Sequence, residues 1–387
     1  MQSNMLTMPL VDEARRQLNI CNACRYCEGL CAVFVALERP IHFETGEVTH
    51  LANLCHDCRS CLYACPYTAP HEFAINPPKL FAKARRETYD SCIQVPIPSL
   101  GKWVNGWIGI VAALLVFLLG TTVIAIATMG AAALVSAHPV AASPYSTVPY
   151  PAILIETLLP FLFSCIVLVH GARKYWRVAG TSGALPGGWR AIVDCIYEAG
   201  SLKNLRGGGE PCHENARPSK MRRIWHQCVS YGFVFCLMST ISAAVLQDIV
   251  GRAPPYVVWS IPVVLGLVGG AGMTVGCSAL IITKGRADRE ATDARMESRD
   301  YGLLIALEFI AVTGIMTILS RNSAAYGSIL VFHLATVGTA FAVAPYTKFV
   351  HWIYRSMALY RDAVERHQEC PAPAFIASAT ADTDGHR

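Results

Sequence analysis

The chain has 387 residues, of which 53% are hydrophobic and only 15% charged, and its mean hydropathy is +0.38. That is too apolar for an ordinary soluble domain. A formal net charge of +5 does not call for a nucleic-acid partner, because the cations are distributed as a membrane topology requires.

Residues 1–100 are mixed and polar, with helical patterns around 9–20 and 78–90. Between these patterns lie two cysteine runs, CNACRYCEGLC from Cys21 and CHDCRSCLYACP from Cys55, each spaced C-x2-C-x2-C-x3-C. This is the bacterial ferredoxin arrangement, in which three thiolates hold one [4Fe–4S] cube and the fourth cysteine crosses to the other. One cluster is expected on Cys21, Cys24, Cys27 and Cys65, and the second on Cys55, Cys58, Cys61 and Cys31. Pro66 follows the last ligand of the second run, and Ala32 stands at that place in the first. Structural zinc usually takes two separated pairs, which these triplets do not offer. A secreted disulfide framework fits no better, since residues 1–20 carry Asp12, Glu13, Arg15 and Arg16 and no apolar signal core.

A linker with Pro96 and Pro98 leads to Trp103. Beyond it, six segments reach the roughly 20 apolar residues that a helix needs to cross about 30 Å of hydrocarbon. They are 104–128, 150–171, 227–249, 256–283, 301–320 and 326–350. The expected fold is all-α: a cytoplasmic two-cluster ferredoxin-like domain over 1–100, a six-helix membrane domain over 101–355, and a cytoplasmic tail over 356–387. Loop 172–225 holds ten Lys or Arg and loop 284–300 holds five, whereas 129–149 holds none and 250–256 and 321–325 hold one each, Arg252 and Arg321. The positive-inside rule then puts both termini, the cysteine domain and both basic loops in the cytoplasm.

Histidines at helix ends are candidates for axial haem ligands. His333 and His351 lie 18 residues apart on the expected last helix, which is five turns and about 27 Å on one face. His351, His170 and His226 all fall at the cytoplasmic boundary, and a bis-histidine haem b is expected on His351 with His226 or, next in order, His170. His333 has no histidine inside the helices at its depth; it is open between a second haem ligand, a quinone contact and a buried hydrogen-bonding group. Glu308, about 12 Å into the fifth helix, is the candidate proton relay for quinone reduction, with a hydrogen-bonded protonated carboxyl as the alternative. Gly266 with Gly270 and Gly272 with Gly276 are spaced as GxxxG and suggest close helix packing. Cys212 and His213 are an isolated pair and are left out of the sites, the GGGE turn Gly207–Glu210 is a flexible docking edge, and Arg355 is placed to pair with a haem propionate.

The stretch HLATVGTAFAVAPYTKFVHWIYR, His333 to Arg355, resembles the last haem-bearing helix of the nitrate reductase gamma subunit family. Over nearly the whole chain the twin cysteine runs, six helices, GGGEPCHE, RRIWHQCVSYGF and the APYTKFVH ending look like the citrate/tricarballylate-utilization protein B family. That resemblance implies an iron–sulfur and haem b protein of the bacterial inner membrane. It implies that the chain reoxidises the reduced flavin of an FAD-dependent tricarballylate dehydrogenase and passes the electrons to membrane quinone, without doing the carbon chemistry itself. No residue of the chain is recognisable as a tricarboxylate site, and a membrane redox sensor is the competing class.

Overall fold

Helix α1 (Met8–Cys24) starts after Thr7 with Pro9 in its first turn, and it buries Leu10, Val11, Ala14, Gln17 and Leu18 as one stripe. In the computed structural model, residues 5–93, 107–136, 143–180, 188–206, 212–213 and 218–369 are described. The linker prolines Pro96 and Pro98, Trp103, His138, the Gly207–Glu210 turn and residues 370–387 lie outside them. α1 runs four residues beyond the expected end and stops where Arg25 turns left-handed at φ 54°, its N–H bonding the carbonyl of Cys21. Cys21 and Cys24 therefore ride on the last turn of a helix.

Short helices α2 (Ala32–Ala36), α3 (Thr45–Leu54) and α4 (Ser60–Tyr63) carry the chain between and through the cysteine runs, and α5 (Pro77–Cys92) closes the domain. Asn76 caps α5 by accepting the Lys79 N–H at 3.1 Å, and two prolines occupy the first positions, where no amide partner is needed. The core joins Leu18, Phe43, Val48, Leu51, Leu80 and Phe81, together with Ala358 and Leu359 from the far end of the chain.

Six helices among the described residues are long and apolar enough to span a membrane, as expected. They are α6 (Trp107–Met129), α7 (Tyr150–Ala179), α9 (Met221–Ala244, extended by a π turn over Val245–Ile249), α10 (Ile261–Gly285), α11 (Ala294–Leu319) and α12 (Tyr326–Val343). Leu115, Val116 and Leu119 on α6 and Ile155, Leu159 and Ile166 on α7 are all at least 60% exposed, as lipid-facing side chains are. Between α7 and α9 lie an additional helix, α8 (Trp189–Ser201), and the antiparallel pair β1 (Cys212–His213) and β2 (Pro218–Ser219).

The expected continuous helix through His333 and His351 is not present. α12 ends at Val343, two single 3-10 turns follow (Ala344–Tyr346 and Lys348–Val350), and α13 (His351–Glu369) starts anew. Pro345 is the cause, since it has no N–H to continue the ladder and restricts the residue before it. The five-turn register between the two histidines is therefore lost. Residues 356–369, read from sequence as tail, continue α13, which buries Ala358, Leu359, Ala363 and Val364. Arg361 donates to Glu47 at 2.8 Å, to Glu365 at 2.6 Å and to the Ala179 carbonyl at 2.8 Å, and Arg39 reaches Asp362 at 2.7 Å. α13 thus clamps the cysteine domain to the Ala179 end of α7.

A close helix seam joins α9 and α10. A Cβ at Gly269 would lie 2.7 Å from the Gly232 carbonyl oxygen and 2.8 Å from the Cys236 nitrogen, and one at Gly276 would lie 2.8 Å from the Trp225 oxygen. Gly266, Gly269, Gly272 and Gly276 line this seam, whereas Gly270 faces Ile315 on α11, so Gly272 with Gly276 forms one packing surface and Gly266 with Gly270 does not. Gly269→Val should force the helices apart at the overpacking cost of about 1–3 kcal/mol. The check is thermal unfolding of the detergent-solubilised protein, with Gly120→Ala, where nothing lies within 4 Å, as the neutral control.

Candidate redox centres

The αL turn at Arg25 follows Cys24, and Asp57 and Arg59 also take positive φ (56° and 65°) on either side of Cys58. These sharp turns fold each cysteine run back on itself, and two cavities result. One is walled by Cys21, Cys24, Cys27 and Cys65, the other by Cys31, Cys55, Cys58 and Cys61, and Phe34 lines both. The fourth cysteine of each run has therefore crossed to the other set. Burial, reinforced by the neighbouring thiols of its own set, pushes Cys21 up to about 12 and Cys27 up to about 11. Thiols held this close resist ionising together unless cations join them, which is the demand an iron–sulfur cube meets. Among the described residues no three His, Cys, Asp or Glu side chains converge on a single ion. The donor set fits polynuclear iron.

His56 follows Cys55 and, with Arg59, lines both the second cysteine cavity and a third pocket beneath it. In that pocket His226 from α9 and His351 from the start of α13 face each other, ring centroids 6.4 Å apart and planes at 79°. The His351 Nδ1 lies 2.6 Å from the Lys348 carbonyl, which can only accept, so Nδ1 carries the proton and Nε2 keeps its lone pair. This backbone-oriented tautomer is what an axial ligand needs. His226 Nδ1 is held by Ser230 Oγ at 3.1 Å. Burial, with the cations of Arg355 and Lys348, keeps His351 neutral by holding it well below the usual imidazole range. His56 is driven the same way by burial and Arg355.

Six cations, Arg59, Arg85, Arg222, Lys284, Lys348 and Arg355, line this pocket against two carboxylates, Asp57 and Asp300. Asp57 is half-buried, which opposes its charge, yet Arg59 and Arg222 hold it below the ordinary carboxylate range. Asp300 bridges Lys284, at 2.5 Å, and Lys348. Burial lowers Lys348 to about 8 despite Asp300 beside it. A surplus of buried cations around two imidazoles suits an iron porphyrin with two carboxylate side chains.

Of the remaining expected residues, His170 is exposed and does not line the pocket. His333 also stands apart from the pair. Thr313 Oγ1 spends its proton on the Phe309 carbonyl (2.6 Å), so the His333 Nδ1, 2.9 Å away, donates to it. Gly314 leaves room for this ring, since a Cβ there would lie 3.1 Å from Cε1. Glu308 accepts from Ser278 Oγ at 3.0 Å through one oxygen, and the other is buried with no partner among the described residues.

Several site residues were not singled out from sequence. Cys212 and His213, set aside as an isolated pair, fold onto the second cavity: the His213 N–H donates to the Cys58 carbonyl at 2.9 Å, its ring stacks on Tyr63 at 5.1 Å, and Cys212 packs on Cys58. Arg355, expected to face a propionate, donates to the Cys55 carbonyl at 2.7 Å, where Arg85 also arrives at 3.3 Å. The adjacency of His56 to Cys55 was the available signal for that residue. The contacts of Arg85 and His213 are long-range and had none.

Comparison with known proteins identifies the family. Residues 14–91 match the Citrate utilization protein B Fer4-like domain, and residues 108–372 match Citrate utilization protein B. The chain belongs to the citrate utilization protein B family. Citrate utilization protein B of Escherichia coli is 34% identical over 375 residues, covering 95% of each chain. No solved structure matches. As a family member the chain is a multi-pass membrane protein with a Fer4-like N-terminal domain.

The double guanidinium contact at Cys55 can be tested directly. Arg355→Met should lower the stability of the solubilised protein by about 1.5–3 kcal/mol, the range for hydrogen bonds to charged groups. Arg355→Lys should recover only part of this, since an ammonium lacks the planar fork. Melting of Arg355→Met at the wild-type temperature would refute the assignment.

Proposed function

We propose that this chain carries electrons from the reduced flavin of a soluble FAD-dependent dehydrogenase to membrane quinone. Cys21, Cys24, Cys27 and Cys65 would hold one [4Fe–4S] cluster, Cys31, Cys55, Cys58 and Cys61 the second, and His226 and His351 would hold one haem b. Bound there, these groups supply one-electron carriers between a two-electron flavin donor and quinone. The observation that carries the reading is the sequence of shared walls: Phe34 separates the two cysteine cavities, and His56 and Arg59 separate the second from the histidine pocket. Three sites in contact, running from the polar domain to the ends of membrane helices, make a relay.

The protein's own groups have distinct tasks in it. Lys348 orients His351 through its carbonyl, and the pocket cations neutralise the two propionates. Carbonyl and amide contacts at Cys55 and Cys58 keep the second set at a fixed place beside His56. Glu308, paired with Ser278, holds a proton for quinone on the membrane side. The excess of Lys and Arg in loops 172–225 and 284–300 supports a cytoplasmic cysteine domain and a bacterial inner-membrane location. The dehydrogenase that fits is one acting on tricarballylate, by family resemblance; the relative's name refers to citrate.

Two sets of variants test the relay. His351→Leu should abolish the b-type band in reduced-minus-oxidised spectra of isolated membranes while leaving iron and acid-labile sulfide in place, and Cys58→Ser should remove one of two [4Fe–4S] signals in electron paramagnetic resonance. Both should end quinone-dependent turnover of the dehydrogenase; an intact b band in His351→Leu, or zinc without iron in the purified protein, would refute the assignment. Glu308→Gln should slow quinone reduction by about 100-fold, the lower end of a positioned proton donor's contribution, with the visible spectrum unchanged. An unaltered rate would leave Glu308 as a packing group.

A further inference from the structure

α8 has two faces, and among the described residues only one of them is covered by protein. Ala191 is fully buried against Ala363 and Val364 of α13, and the Cys195 thiol donates to the Ser356 carbonyl at 3.3 Å. On the opposite side Trp189, Ile192, Val193, Ile196 and Tyr197 are 50–71% exposed. Their spacing, i, i+3, i+4, i+7 and i+8, makes a single apolar stripe. Five large apolar side chains in one line are not an incidental surface.

Hydrogen bonds to α9 set the depth of this stripe. The Tyr231 hydroxyl donates to the Gly200 carbonyl at 2.9 Å, Arg223 Nη2 donates to the Ser201 carbonyl at 2.7 Å, and Gln227 Nε2 reaches the same oxygen at 3.4 Å. These three donors follow one ridge over about 12 Å of α9, at the end where the membrane span Met221–Ile249 begins. Beside them on α9, Ile224 and Val234 are exposed as part of its lipid-facing side. The end of α8 is thus fastened next to a surface that lipid already covers.

We propose that α8 lies in the cytoplasmic interface of the bilayer, with its stripe covered by lipid at the boundary between headgroups and acyl chains. Trp189 and Tyr197 have the apolar body and polar tip that this layer favours, and exposed Arg190 is placed to meet lipid phosphates. Continuity with the lipid-facing side of α9 selects lipid as the occupant over a soluble protein. The arrangement has a consequence for the redox sites. α8 leads directly into the turn Lys203–Arg206, whose Asn204 lines the Cys31, Cys55, Cys58 and Cys61 cavity and whose Leu205 packs on Cys58. The membrane surface, acting through α8, sets the height of that cavity above the hydrocarbon.

Photo-crosslinking of the full chain in native membranes tests this. A benzophenone amino acid replacing Ile196, or Val193 as a second position, should form lipid adducts on irradiation, detected by mass spectrometry. The yield should be comparable to that of the probe at Ile108, which is 72% exposed on membrane helix α6, and well above that at Tyr26, which is 68% exposed in the cysteine domain. Adducts to a second copy or to another protein, or no adduct at Ile196 and Val193 while Ile108 reacts, would overturn the proposal. Because the readout is independent of any cofactor, failure of the redox assignment would leave the result unaffected.

Discussion

The carbonyl of Cys55 receives guanidinium groups from two directions, Arg85 of α5 and Arg355 of α13. Cys55 is followed by His56, and Arg355 lies one helical turn beyond His351. This one acceptor therefore ties the thiol cavity to the imidazole pocket at both edges of their common wall. Burying two guanidinium groups is costly unless each finds acceptors, and the carbonyls of Ala52, Asn53 and Cys55 supply them. Removing either cation would leave the Cys55 carbonyl with one guanidinium donor and loosen the layer of side chains that the two cavities share.

The same logic extends along the whole boundary between the polar domain and the membrane helices. An apolar cluster of Met5, Tyr89 and Cys92 with Tyr175, Met296 and Tyr354 is buried there, and around it the joint is made of charges with several partners each: Arg361 with Glu47, Glu365 and a helix-end carbonyl, Arg39 with Asp362, and Asp300 between Lys284 and Lys348. Multiple partners matter because an isolated exposed pair contributes little. Loop 284–300 belongs to this joint as well as to the topology signal: the Asp288 and Glu290 carbonyls accept from Arg59 and Asn76, and Arg86 lies 3.5 Å from Asp293. Within the membrane the joint changes character. Backbones of α9 and α10 meet directly at Gly232, Gly269 and Gly276, since lipid offers no hydrophobic drive and close packing must replace it.

Much of this plan was readable in advance, and the exceptions have specific causes. The twin cysteine runs named the eight thiols that line two cavities, because a C-x2-C-x2-C run allows few backbone paths. The six spans were readable because hydrocarbon thickness imposes a minimum length. Pro345 breaks the last helix although apolar periodicity continues through it and the 18-residue spacing of His333 and His351 suits a helix. Loop 172–225 was read as a basic connection, yet it contains an amphipathic helix and a hairpin on the Cys58 loop. Its cations dominated the composition and masked the period of Trp189, Ile192, Val193, Ile196 and Tyr197.

By itself the sequence determined the all-α class, the number of membrane helices and the residue types able to bind metal. Those follow from local rules: hydropathy over one segment, and covalent spacing within one turn. Which histidine meets His351 was decided only in three dimensions, by the break at Pro345 and the glycine seam that positions α9. His226 enters the pocket, His170 faces outward, and His333 is engaged by Thr313. The return of Cys212 and His213 to Cys58, and of α13 to the cysteine core, was also decided there. These contacts join residues more than 100 positions apart, and their energy depends on burial and on partners that no local pattern encodes.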